Sequence, residues 1–116
     1  MRSRGWPIAS SGERMTIHTV PVQRVTIVAE SLLEERLLKD LEAAGARGYT
    51  LTPARGAGAR GVRSSEWEGG NVRIETLVSD AVAQRLLERL AEAYFPHYAV
   101  VAWVETVEVV RGDRYV

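Results

Sequence analysis

What most constrains this chain is a strand–helix–strand pattern that occurs twice, with a long glycine-rich loop between the two copies. Residues 23–29 (QRVTIVA) are β-branched and predict a first strand. Ser31 predicts a helix start, because Ser31 and Glu34 form an S-x-x-E capping box. Leu33, Leu37, Leu41 and Ala44 then recur at helical spacing, with Leu38 widening the stripe. Gly45 suits a left-handed stop. Residues 47–52 predict a second strand. After the loop, residues 71–78 alternate apolar and polar and predict a third. Ser79 or Asp80 caps a second helix with the stripe Val82, Leu86, Leu87, Leu90 and Tyr94, and Pro96 marks its end. Residues 98–110 predict a fourth strand, apolar on both faces over 98–104.

The order β-α-β-loop-β-α-β predicts an α+β fold, a ferredoxin-like βαββαβ sandwich. Four antiparallel strands would carry both helices on one face, through right-handed crossovers. Two helices cover only one face of such a sheet. The apolar fourth strand predicts that the other face is also covered. In a chain this small a second copy is the natural cover, so an oligomer is expected.

With 116 residues there is material for one core. The formal net charge is zero, so any anion site must be local rather than a property of the whole surface. Cysteine is absent, which excludes disulfides and thiolate metal sites and fits the cytoplasm. His18 and His97 have no neighbour at metal-ligand spacing, so no metal site of the protein's own is expected. No apolar run approaches bilayer length. Arg2 and Arg4 precede no apolar core, so the start does not read as a secretory signal, and Met15 is a second candidate start. Residues 1–21 read as a flexible extension and 22–116 as the domain.

The loop spans about residues 53–70, long for a connection within a small domain. Gly56, Gly58, Arg60, Gly61, Arg63 and Ser64 punctuate it. Glycine lets a backbone approach a ligand closely, and arginine forks match phosphate and carboxylate oxygens. The segment lacks the Gly-Lys-Ser/Thr of a P-loop and the following helix of a dinucleotide fingerprint. Arg60 and Arg63 read either as phosphate contacts or as a solvated basic turn. Trp67 reads as a partner anchor or as a ring folded back on the surface. Trp103 reads as core or subunit packing rather than ligand stacking. Glu30, Glu75 and Glu105 stand on strands, where a carboxylate holds a ribose or pairs with arginine. Glu34, Glu35, Arg36 and Lys39 read as a solvated helix face. No paired acid and base argues for catalysis.

Four stretches carry a family resemblance. The run from Glu42 to Thr50 (EAAGARGYT) is similar to EAGA-x-GYT, and Gly56, Gly58, Arg60, Val62, Arg63 and Ser64 are similar to G-x-G-x-R-x-V-R-S. Asn71 and Val72 open the third strand, and Arg111-Gly112-Asp113-Arg114-Tyr115 resembles a G-R-x-F/Y ending. Over about residues 23–115 the chain resembles the PII signal-transduction superfamily, and most closely its SbtB-type and carboxysome-associated PII-like (CPII) branch. The cysteine pair that ends some SbtB-type chains is absent.

The resemblance implies a homotrimer that binds an adenine nucleotide (ADP, AMP, ATP or cyclic AMP) in clefts between subunits and signals through the loop, as the T-loop does in that family. Gly56, Gly58, Arg60, Arg63 and Ser64 would form the nucleotide site, with Arg111 and Arg114 from the tail. Bicarbonate is a second implied ligand, and magnesium is implied only with the nucleotide. Trp67 would meet a partner, a bicarbonate transporter or a carboxysome component. The implied location is cytoplasmic, at a carboxysome or beside a membrane transporter. The implied role is regulatory, with no catalytic residue and no nucleic acid. A CutA-like metal-tolerance or enzyme-like trimer on the same scaffold is the alternative. An RNA-binding ferredoxin-like domain ranks last, because the first and third strands lack aromatic residues.

Overall fold

One long strand runs through every ladder but one and organises the rest. The computed structural model describes residues 4–10, 13–56 and 70–111. β1 (Arg4–Ser10) and β2 (Glu13–Glu30) lead into a 3-10 turn (Ser31–Leu33) and α1 (Glu34–Ala44). β3 (Thr50–Ala54), β4 (Asn71–Val78), α2 (Asp80–Ala93) and β5 (Val101–Val109) follow. β2 pairs with β4 over residues 23–30 and with β5 over residues 20–28, and β3 pairs with β4. The main sheet therefore runs β5–β2–β4–β3, with every neighbour antiparallel. This is the expected four-stranded ferredoxin-like sheet.

Residues directly opposite in a ladder share a face. Ile27 lies opposite Ile74 and Ala29 opposite Val72. These four join Leu33, Leu37, Leu41, Leu86, Leu90 and Tyr94 in one buried cluster between the sheet and the helices. Each buried leucine of this kind stabilises the fold by roughly 1.5–3 kcal/mol. The other face carries Arg24, Thr26, Val28, Arg73, Glu75, Leu77, Trp103 and Glu105, and among the described residues no helix lies on it.

Several local features match the sequence reading. The Ser79 hydroxyl accepts from the Val82 N–H at 3.3 Å and caps α2. Gly45 ends α1 at φ +107°.

Other features differ, each for a local reason. Ser31 makes no capping box: it opens the 3-10 turn, and α1 begins at Glu34. Its N–H, which a capping glutamate would need, donates instead to the Gly70 carbonyl at 3.0 Å. The second strand is Thr50–Ala54 rather than 47–52. At Gly48 the Thr76 hydroxyl donates to the backbone carbonyl at 2.6 Å, a side-chain bond where a ladder bond would otherwise fall. The fourth strand starts at Val101, because the N–H groups of His97 and Tyr98 both donate to the Tyr94 carbonyl and hold a turn there.

The largest difference lies at the N-terminus. Where a flexible extension over 1–21 is expected, β1 pairs antiparallel with residues 13–19 of β2. The first segment does not read as a strand alone, since Gly5 and Pro7 weaken it. The pairing register brings the apolar positions of both segments opposite each other.

Candidate functional site

The loop leaves the sheet where β3 and β4 end together, with Ala54 opposite Asn71. Arg55 and Gly56 are exposed beyond it. Gly70 re-enters the sheet at φ +79°, a backbone conformation that favours glycine. Its carbonyl is the one held by the Ser31 N–H, so the root of the loop is tied to the start of the helical layer. Gly56 has neither constraint: its φ is not positive, and an added Cβ would meet nothing within 4 Å. No contact within the described chain requires glycine at this position.

On the helix-free face lies a groove of about 480 Å³. Leu77, Val107 and Val109 give it an apolar floor, and Arg24, Thr50 and Glu75 add donors and acceptors. Tyr49 stands at its rim, 54% exposed. An aromatic rim, an apolar floor and a few polar groups suit a flat heterocycle better than a densely charged group.

The charges of this face are arranged in pairs. Arg24 Nε donates to Glu105 Oε2 at 3.0 Å across the β2–β5 ladder. That bond, reinforced by the glutamate's charge, holds Arg24 more firmly protonated than usual. Arg73 donates to Glu75 Oε2 at 2.9 Å and keeps this carboxyl below the ordinary carboxylate range. The Arg73 guanidinium also lies 5.6 Å from the centre of the Trp103 ring, close enough for a cation–π contact. Glu75 and Glu105 therefore pair with arginine.

A second polar cluster lies on the helical side. The Arg36 guanidinium sits 5.1 Å from the Tyr94 ring centre and 5.5 Å from that of Tyr98, and donates to the Tyr98 hydroxyl at 2.9 Å. Tyr94 donates to the Asp40 carboxylate, which also accepts from Arg89 Nε at 3.2 Å. Burial first, and the hydrogen bond to Asp40 second, push the Tyr94 phenol up to about 12. Arg36 is exposed, as expected of that helix face, and also lies against the two rings.

Of the residues expected to bind nucleotide, Gly56 and Arg111 are within the described structure. Gly58, Arg60, Arg63, Ser64 and Arg114, and the expected partner anchor Trp67, lie outside the described residues. Gly56 follows Ala54, at the end of the sheet where Asn71 faces Glu30. Arg111 follows Val109, which faces Val20 at the other end. Ten residues of β2 separate those levels, about 33 Å of strand. Arg111 therefore stands at the groove's end of the sheet and Gly56 at the opposite end. Tyr49, Thr50, Leu77 and Arg24, which line the groove, carry no loop-like signal in the sequence. Of the features singled out in the sequence, the family-like GYT run and Glu75 touch it.

Among the described residues no helix is long and apolar enough to cross a membrane, and no cluster of His, Asp or Glu could hold a metal ion.

The chain matches the profile of the Nitrogen regulatory protein P-II family over residues 22–114. It is 59% identical to a PII-like signalling protein of Thermus thermophilus, with a TM-score of 0.74, over 84% of this chain and 98% of that one. Its fold is also similar to CPII of Thiomonas intermedia bound to ADP and bicarbonate. The TM-score there is 0.76 at 24% identity, over 86% of this chain and 99% of that one. The apo form of the same protein gives a TM-score of 0.65 at 22% identity, over 78% and 94% of the two chains. The sheet order, the two helices on one face and the profile match over most of the chain agree: this chain belongs to the P-II family of regulatory proteins.

Proposed function

We infer that this P-II family member is a regulator that binds an adenine nucleotide between subunits of a homotrimer, with bicarbonate as a second ligand. ADP, AMP, ATP and cyclic AMP are the candidate nucleotides, with magnesium entering only on the phosphates. The base takes the groove beside Tyr49, Thr50 and Leu77. The phosphates take Arg60, Arg63 and Ser64, with the backbone at Gly56 and Gly58 making room. Arg111 and Arg114 complete the site.

The observation that carries this reading is the separation of Gly56 from Arg111 at opposite ends of one sheet. A single phosphate group cannot meet both within one chain. Two copies placed side by side can bring the loop of one to the tail of the other. The helix-free sheet face supplies the surface for that association. The complex of CPII with ADP and bicarbonate supports the choice of ligands.

The loop is the output. It carries Trp67 to a partner, and a bicarbonate transporter or a carboxysome component fits a protein that reads adenylate state together with bicarbonate. Calorimetry with ADP, AMP, ATP and cyclic AMP, each with and without bicarbonate, tests the ligands. Light scattering on the same samples tests the trimer. Binding of at least one adenine nucleotide to a trimer is expected. A monomer, or no heat with any of the four at millimolar concentration, overturns the reading.

A further inference from the structure

A strand places alternate residues on opposite faces of its sheet. In β4, Glu75 and Leu77 line the groove. The row on the other face is Val72, Ile74, Thr76 and Val78, all buried. Val72, Ile74 and Val78 belong to the core cluster, and Thr76 is the polar member of the row, 2% exposed. A buried hydroxyl costs free energy unless it is hydrogen-bonded. Here the partner is the Gly48 carbonyl, to which the Thr76 hydroxyl donates at 2.6 Å.

That bond falls where the backbone ladder has ended. β3 pairs with β4 as far as Thr50 opposite Glu75. Beyond this pair, Gly45 to Tyr49 connect α1 to β3. At the α1 end the connection is well held. The Gly45 and Ala46 N–H groups donate to the Glu42 and Leu41 carbonyls, and Arg85 Nε donates to the Ala44 carbonyl at 3.0 Å. At the β3 end Thr76 supplies the hold.

Gly48 and Tyr49 are walls of the groove and also of a cavity of about 270 Å³ beside α1, with Leu38, Leu41 and Ala46. Open space therefore lies on both sides of this wall. An added Cβ at Gly48 would meet nothing within 4 Å, so crowding does not fix the backbone there. The Tyr49 side chain makes no hydrogen bond or ring contact among the described residues, so its backbone decides where the ring stands.

We propose that Thr76 is a positioning residue for the nucleotide base: through the Gly48 carbonyl it sets where Gly48 and Tyr49 stand along the groove. The proposal rests on the nucleotide reading given above and adds to it a residue on the opposite face of the sheet from the ligand. Without the hydroxyl the wall is free to leave its place. The groove then binds in proportion to the fraction of molecules that keep the wall in position.

Titration of ADP into the full chain tests this. Thr76→Val keeps the branched shape and removes the donor, and Gly48 is exposed, so water can take the vacant carbonyl and the fold is kept. Thr76→Val should weaken ADP by at least about threefold. Thr76→Ser restores the hydroxyl and should restore the affinity. Ser79→Ala removes the α2 cap, lowering stability without touching the wall, and should bind ADP as wild type does. In the unliganded protein the carbonyl carbon resonance of Gly48 should shift in Thr76→Val and return in Thr76→Ser. An unmoved resonance overturns the bond on which the role depends. Thr76→Ser binding as weakly as Thr76→Val, or an equal loss in Ser79→Ala, overturns the role as well. A wild type that binds no ADP overturns the nucleotide reading and the role with it. A wild type that binds ADP, with Thr76→Val equally tight, removes the role alone.

Discussion

Tyr94 donates its phenolic hydrogen to the Asp40 carboxylate and so joins the end of one helix to the middle of the other. The phenol is pushed up to about 12. Between about pH 10 and pH 12 the folded protein therefore keeps a proton that the unfolded chain has lost. This contribution is intact below the unfolded value and is lost as pH rises through the folded one, with a slope approaching about 1.4 kcal/mol per pH unit. Tyr94→Phe should remove that alkaline fall and, at neutral pH, cost about 1.5–3 kcal/mol for a bond to a charged acceptor. Urea unfolding from pH 8 to pH 12 checks both. An unchanged alkaline slope in the variant would assign the effect to another group.

Glu75 titrates in the opposite sense. Its folded pKa is lowered, chiefly by the hydrogen bond from Arg73. Its contribution is complete above the ordinary carboxylate pKa and disappears as pH falls through the lower folded value. The stability difference between wild type and Glu75→Gln should therefore shrink as pH falls below about 4. Denaturant midpoints of the two proteins from pH 6 to pH 2 measure this, and a constant gap refutes it.

Gly45 and Gly70 separate backbone strain from crowding. Both have positive φ, but a Cβ at Gly45 would lie 3.2 Å from Arg85 and 3.3 Å from Val82, whereas at Gly70 the nearest atom is 3.8 Å away. Each alanine substitution should cost roughly 1–2 kcal/mol for the left-handed backbone. Gly45→Ala should lose more, since Val82 packs against the core. Thermal unfolding of the two variants ranks them, and equal losses would mean that Arg85 and Val82 yield without cost.

Loop and groove contribute differently to nucleotide binding in the inferred site. Charge-assisted bonds of about 1.5–3 kcal/mol imply that Arg63→Ala weakens an adenine nucleotide by more than about tenfold. Adenosine, which lacks phosphates, should be insensitive to that change but should lose affinity in Tyr49→Ala. Titration of both ligands into both variants gives the answer. Equal sensitivity of adenosine and ADP to Arg63→Ala would place that arginine elsewhere.

The loop should respond as well. Between Arg55 and Gly70 the sizeable apolar side chains are Val62 and Trp67, so little surface is available to offset the entropy of ordering. Hydrogen exchange over residues 55–70 should slow on addition of nucleotide. Equal exchange with and without nucleotide rules out an order–disorder signal.

The element order was legible in the sequence because β-branched runs and leucine stripes have different periods. The third strand, the Gly45 stop and the Ser79 cap depend on nearby residues, and each appears where expected. Ser31 misled because its N–H is committed to Gly70, about 40 positions away in sequence, which a local capping pattern cannot register. The pairing of β1 with β2 was missed because Gly5 and Pro7 weaken β1 as a local strand signal. The groove escaped for a different reason. Thr50, Leu77 and Arg24 are ordinary strand residues until the β2–β4–β3 order places them side by side. Glycines and arginines mark the loop from sequence alone.

The sheet's two borders are chemically unequal. β3 is five residues long and contains Pro53, which has no N–H to offer an incoming strand. β5 is nine residues long, without proline or lysine, and bears exposed Val101, Trp103 and Val104. A strand of that kind is a template for edge-to-edge growth. Aggregation of this protein should therefore begin at the β5 border. A single Val104→Lys substitution, placed on that border and away from Val101 and Trp103, should suppress it.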